Sequence, residues 1–149
     1  MTATRLVAAL DAAVAQAAQA DSGPEDVTDL VLRILTEASE TPAVQAALRG
    51  ASPGRALLRI TDGTRAVEFQ AGDGRLHAEI AEPKGKGPKV DATAATWLGL
   101  LGGTLKPWLA FTRGQVVCRA GLTELRWLQQ IAERLQRGYL DARAAAAAE

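Results

Sequence analysis

The sequence predicts an α+β domain in which helices precede and follow an antiparallel sheet. Three observations predict it. Apolar residues recur at helical spacing before Gly50, alternate strictly from Leu58 to Ala92, and return to helical spacing at Ala94. Turns built on glycine and aspartate separate the alternating runs. The third is a concentration of large apolar side chains in Gly102 to Gly114, GGTLKPWLAFTRG. The chain has six aromatic residues, and Trp97, Trp108 and Phe111 all fall next to or inside this stretch.

The elements follow in order. Thr2 to Ala20 is alanine-rich, which favours helix. Leu6, Leu10, Val14 and Ala17 give it a thin apolar stripe that can pack on the domain, pair with a second copy, or fray. Asp21-Ser22-Gly23-Pro24 breaks this helix, and Ser22 with Glu25 has capping-box spacing for the next. Val27, Leu30, Val31, Ile34 and Leu35 then mark one strongly apolar face. Thr41-Pro42 opens a short helix that ends at Gly50. Four strands are expected as a meander. They carry Leu58 and Ile60; Val67 and Phe69; Leu76, Ala78 and Ile80; and Val90 and Ala92. Asp62-Gly63 and Gly72-Asp73-Gly74 supply hairpin turns, and Glu82 to Pro88 a longer loop. Ala94 to Leu101 is helical, with Gly102-Gly103 as its end. Pro107 opens a short helix through Trp108, Leu109 and Phe111, closed by Gly114. Gln115 to Ala120 alternates as a fifth strand. Leu122 to Tyr139 forms a long helix striped by Leu125, Leu128, Ala132 and Leu135 and widened toward a second face by Trp127 and Ile131, followed by a fraying tail over 141–149. This divides the chain into an N-terminal helix (1–20), a domain (25–140) and the tail.

Composition narrows the function classes. At 149 residues the chain is large enough for one core without disulfides or metals. The 17 basic and 17 acidic residues balance, so the basic footprint of a nucleic-acid binder is missing. The single Cys118 cannot form an internal disulfide, which fits a reducing compartment. No apolar run approaches the roughly 20 residues of a membrane span. Asp11 interrupts what would be the apolar core of an export signal, so a cytoplasmic location is expected. The lone His77 offers neither a metal site nor an acid–base pair, and Cys118 has no neighbouring histidine by sequence. No catalytic residue, metal or cofactor is expected, and the chain is read as a non-enzyme. Lys84-Gly85-Lys86-Gly87-Pro88-Lys89 lacks phosphate-loop spacing and precedes a strand. It reads as a solvated loop, with at most transient attraction to an anionic membrane.

The order of elements, together with the residues from Trp97 to Leu128, resembles the sterol carrier protein 2 family. The matching residues are Trp97-Leu98-Gly99-Leu100-Leu101-Gly102-Gly103, Leu105-Lys106-Pro107, Ala110-Phe111, and Gly114 with the strand behind it. Arg59-Ile60-Thr61-Asp62-Gly63 and Gly74-Arg75-Leu76 also fit the family's hairpins. The likeness covers about Glu25 to Tyr139. It departs where Ala120, followed by Gly121, stands in place of an expected glycine, and the N-terminal helix lies outside it. The resemblance implies a five-stranded curved antiparallel sheet with helices on one face. It also implies an apolar tunnel for a sterol, a fatty acid or an acyl-CoA, held without chemistry.

On that reading the tunnel is lined by Trp97, Leu101, Leu105, Trp108, Phe111, Val116, Cys118, Leu125, Leu128 and Ile131. The same residues can serve as plain core, in which case Trp97, Trp108 and Trp127 plug the interior. The chain would then be an interaction module, or an accessory one acting through its N-terminal helix. A homodimer through that helix is compatible with either. Arg113 and Arg119 are candidates to meet a ligand carboxylate at the tunnel mouth.

Overall fold

A computed structural model describes residues 2–17, 24–84, 87–101 and 105–148. The elements are α1 (Thr2–Ala17), α2 (Pro24–Ser39), α3 (Pro42–Ala47), β1 (Gly54–Ile60), β2 (Ala66–Gly72), β3 (Arg75–Ala81), β4 (Lys89–Ala92), α4 (Ala94–Leu101), α5 (Pro107–Thr112), β5 (Val117–Arg119) and α6 (Leu122–Ala148). The expected capping box at Ser22 and Glu25, the Val14 and Ala17 side chains, and the Gly102-Gly103 break lie outside the described residues and side chains.

The five strands form one sheet in the order β3-β2-β1-β4-β5. β1, β2 and β3 are antiparallel, as the hairpin turns require. Asp73 and Gly74 both take positive φ (52° and 80°), which gives the two-residue turn between β2 and β3 the twist a tight hairpin needs. The expected meander and the all-antiparallel sheet are both corrected at β4. This strand does not continue beyond β3 but runs parallel to β1 on its other side, so the sheet is mixed. Alternation has the same period in either pairing and cannot choose between them. The pairing brings a charge match with it: Arg59 and Asp91 are register partners. The segment from Ala81 to Lys89 can span about 26 Å when extended. Crossing three strand spacings takes only about 14 Å. Arg59 also donates through Nη1 to the Pro83 carbonyl at 3.3 Å, which ties the crossing segment to β1.

One sheet face carries Ala56, Leu58, Ile60, Val67, Phe69 and Val90, all buried beneath the helices. α2 packs on β2 and β3, and α3 packs on α6. α1 lies against α2, α4 and α6, with Leu6 and Ala9 fully buried and Leu10 nearly so. Leu6 and Leu10 of its apolar stripe are therefore spent inside the chain. The tail expected to fray is, through Ala148, a continuation of α6. α1 gives it something to pack on: Ala142 is fully buried, and Arg143 Nη2 reaches Asp11 Oδ1 at 3.0 Å.

The opposite sheet face is mostly polar, with Leu57 and Ala66 buried on it. His77, out of phase with Leu76 and Ala78, is exposed there. Asp91 is buried on this face and accepts from Arg59 Nε and Nη2, both at 2.6 Å, and from Arg119 Nε at 2.9 Å. This cluster bolts β5 and β4 to β1. The Arg59 hydrogen bonds, outweighing the cost of burial, hold the Asp91 carboxyl below its ordinary value, with Arg119 adding to them. A carboxyl depressed on folding stabilises fully above its unfolded pKa, and that stability is lost as pH falls through the lower folded value. Asp91→Asn should cost about 2 kcal/mol at neutral pH, a figure kept modest because Arg119 is largely exposed. It should also flatten the acid side of a melting-temperature profile below about pH 4. Thermal melts of both proteins across pH 2–8 read this out.

Candidate functional site: an apolar cavity under α5

A cavity of about 190 Å³ lies between the buried sheet face and the helices. Its floor is Leu58, Phe69 and Val90 from the sheet, with Val116 and Cys118 at β5. Leu35 of α2 and Trp97 and Leu100 of α4 form one side. α6 forms the other through Leu125, Leu128, Gln129, Ile131, Ala132, Leu135, Gln136 and Tyr139. Pro107, Trp108 and Phe111 of α5 close over it. The α6 residues recur every three or four positions and so occupy one helix face. Leu125 to Tyr139 spans about 21 Å at 1.5 Å per residue, so α6 lines the cavity over about four turns.

Local sequence explains how each wall is held. Pro107 sits at the start of α5, where its missing N–H costs nothing and its fixed φ suits the helix. Arg113 caps α5 at its C-terminal end, and Gly114 takes φ +74° to turn the chain toward β5. The α5 backbone also accepts from the incoming strand, since Gln115 N–H and Val116 N–H both donate to the Ala110 carbonyl. The cover itself is thin. Trp108 is 56% exposed and Leu109 is exposed beside it, while the Trp108 and Phe111 rings lie 5.9 Å apart. Trp97 is only 6% exposed, and its indole N–H donates to the Arg59 carbonyl at 3.0 Å. That bond satisfies the one polar atom of a side chain placed against the cavity.

Of the ten residues expected around a tunnel, the structure gathers eight on this cavity: Trp97, Trp108, Phe111, Val116, Cys118, Leu125, Leu128 and Ile131. Leu105 packs against the core but does not line the cavity. The Leu101 side chain lies outside the described ones. Three tryptophans plugging the interior is not what is seen. Trp108 is half in solvent, and Trp127 does not line the cavity. Trp127 stacks on Phe69 at 5.8 Å and 17° and donates to the Ser52 carbonyl at 2.6 Å. Gly54 makes room for it, because a Cβ there would meet the indole at 2.5 Å. Arg119 is turned away to Asp91 on the opposite sheet face, so the expectation that it meets a carboxylate at the mouth fails. Sequence reading missed Leu35, Leu58, Phe69 and Val90 as lining residues. The alternation that identified most of them as core was the available signal; what it lacked was which core residues face a void.

The cavity wall holds no charged side chain among the described residues. Its polar side chains are the Gln129 and Gln136 amides, the Cys118 thiol, the Tyr139 phenol and the indole N–H groups of Trp97 and Trp108. Burial, with a smaller contribution from the Asp91 carboxylate, pushes the Cys118 thiol up, which leaves it protonated and a poor nucleophile at neutral pH. Burial alone pushes the Tyr139 phenol well above its ordinary range. Among the described residues no cluster of histidine, cysteine or carboxylate side chains could hold a metal ion, and no helix is long and apolar enough to cross a membrane.

Fold and cavity together define a class: a mixed-sheet α+β domain whose helices and sheet line a nearly all-carbon cavity. Solved structures place this architecture. A crystal structure of sterol carrier protein 2 superposes with a TM-score of 0.53 at 23% identity, covering 68% of this chain and 86% of that one. A conserved hypothetical protein from Thermus thermophilus, described as possibly a sterol carrier protein, gives 0.51 at 23% identity over 70% and 79%. A sec-alkylsulfatase, Pisa1 from Pseudomonas sp., gives 0.52 at 16% identity over 72% of this chain but 16% of its own. This chain has the sterol carrier protein 2 fold. No protein-family model matches its sequence, and no curated protein matches it significantly.

Proposed function

We propose that this protein holds the apolar chain of a lipid in the cavity beneath α5 and carries or presents it without altering it. The observation that supports this most is the cavity wall, apolar along its length and free of charged side chains among the described residues. Such a wall removes hydrocarbon from water at about 0.8 kcal/mol per CH₂, so affinity needs no specific polar contact. A volume of about 190 Å³ is below the roughly 300–1,000 Å³ usual for small-molecule sites. A slim acyl chain of a fatty acid or acyl-CoA therefore suits it better than a rigid sterol, unless α5 lifts. α5 is suited to lift, being six residues long with Trp108 and Leu109 already in water. The lone thiol fits residence in the cytoplasm.

A second reading has one observation in its favour. The same fold occupies a small part of a sulfatase, so it also serves as a module within a larger protein. A non-catalytic accessory role for this chain is the corresponding alternative. Displacement of a fluorescent fatty acid by unlabelled acyl, acyl-CoA and sterol ligands separates the two. Lipid holding predicts saturable displacement, strongest for acyl chains. No saturable displacement by any of them defeats it.

A further inference from the structure

We propose that the outer edge of β3 pairs antiparallel with β3 of a second copy of this chain, about a two-fold axis at His77, joining two sheets into one. β3 ends the sheet, and at seven residues it is longer than β5, the three-residue strand at the other end. Its pairing with β2 runs unbroken from Arg75 to Ala81, so it has no bulge, and it holds no proline. Those are devices that commonly blunt an exposed edge. The two-residue turn at Asp73-Gly74 makes Gly72 and Arg75 a hydrogen-bonded pair. Arg75, His77 and Glu79 therefore direct their backbone groups to β2, while Leu76, Ala78 and Ile80 direct theirs outward. Among the described residues nothing pairs with those outward groups.

The side chains select the occupant. Arg75, His77 and Glu79 are exposed on the sheet face away from the helices. Glu79 stands opposite Glu68 of β2, a like-charge pair that disfavours the sheet. Its cationic contact is His77 at 3.9 Å, and Arg75 makes no ion pair among the described residues. Pairing centred on His77 sets Arg75 of each copy directly opposite Glu79 of the other. These are non-hydrogen-bonded positions, where opposed side chains lie closest. The same register makes Leu76 and Ala78 hydrogen-bonded partners across the axis, and it brings Ile80, 37% exposed, beside Leu76 of the second copy. Other registers lose the match. Centred on Leu76, Arg75 meets His77; centred on Ala78, Arg75 meets Ala81; centred on Glu79, two glutamates meet. The charge order of β3 is thus complementary to itself when reversed, as a two-fold interface requires. A single strand edge is a small interface, so the dimer is weak and reversible. β3 lines no part of the cavity, so pairing leaves the lipid site unchanged.

Sedimentation velocity of the full-length protein, from low to high micromolar concentration, tests this. The wild type should show a reversible monomer–dimer equilibrium. Arg75→Glu and Glu79→Arg should each weaken the dimer about tenfold or more, because each sets like charges opposite one another on both sides of the axis. The double variant Arg75→Glu/Glu79→Arg restores both opposed pairs and should return to within about threefold of the wild type. Such a rescue cannot come from a damaged fold. Ala78→Pro removes an outward N–H while sparing the β2 ladder, and should abolish the dimer. A wild type that stays monomeric throughout overturns the proposal. So does a dimer that the single variants leave unchanged, or one that the double variant fails to restore.

Discussion

Ala132→Trp should abolish acyl-chain uptake while leaving the protein folded. Ala132 lies on the α6 face midway along the cavity, so an indole placed there projects into the space a chain would occupy. Excluding about four methylenes forfeits about 3 kcal/mol, a loss of affinity of roughly a hundredfold or more. Overpacking costs of about 1–3 kcal/mol are the risk, but here the added ring enters a void and fills it. A melting temperature at or near that of the wild type, measured beside the displacement curve, separates a blocked site from a damaged fold. If Ala132→Trp is folded and binds normally, the chain does not occupy this cavity.

Leu6→Ala should be the most damaging conservative truncation in α1. Leu6 is fully buried where α1 meets the rest of the domain, and removing such a side chain costs about 2–5 kcal/mol. In a domain of this size each kcal/mol moves the melting temperature by about 2–4 °C, so a fall on the order of 10 °C is expected. The fall should be the same at every protein concentration, because the stripe of Ala3, Leu6, Ala9 and Leu10 is buried within one chain. A fall that shrinks as protein is concentrated would instead mean that this face is shared between copies. Differential scanning calorimetry over a range of protein concentrations reads both.

Local chemistry made much of the fold legible. Pro107 and Gly114 bracket α5, and the Asp73-Gly74 turn fixes the β2–β3 hairpin, each through a backbone requirement that few residues meet. The placement of β4 was not legible, because period-two alternation carries no information about strand direction. The contacts across that pairing, such as Arg59 with Asp91, join residues far apart in sequence. The burial of α1 was equally hidden: an alanine-rich stripe fits a domain surface, a second copy or nothing at all, and only the positions of α4 and α6 decide. The site divides in the same way. Trp97, Phe111 and Leu128 stand out as large apolar residues at the right spacing, and they do meet at one cavity. Leu58 and Val90 look like any core residues, and Tyr139 looks like an ordinary end to a helical stripe. Whether a side chain faces another side chain or a void depends on volumes summed over many elements, which no local pattern records.

The central claim is that the cavity beneath α5 holds one lipid chain. Native mass spectrometry of the full-length protein, titrated with hexadecanoic acid beside Ala132→Trp, tests it most directly. One added acyl chain per protein on the wild type, saturating with concentration and lost from the folded variant, is the result the structure predicts. No adduct on the wild type, or an equal adduct on both proteins, would contradict it.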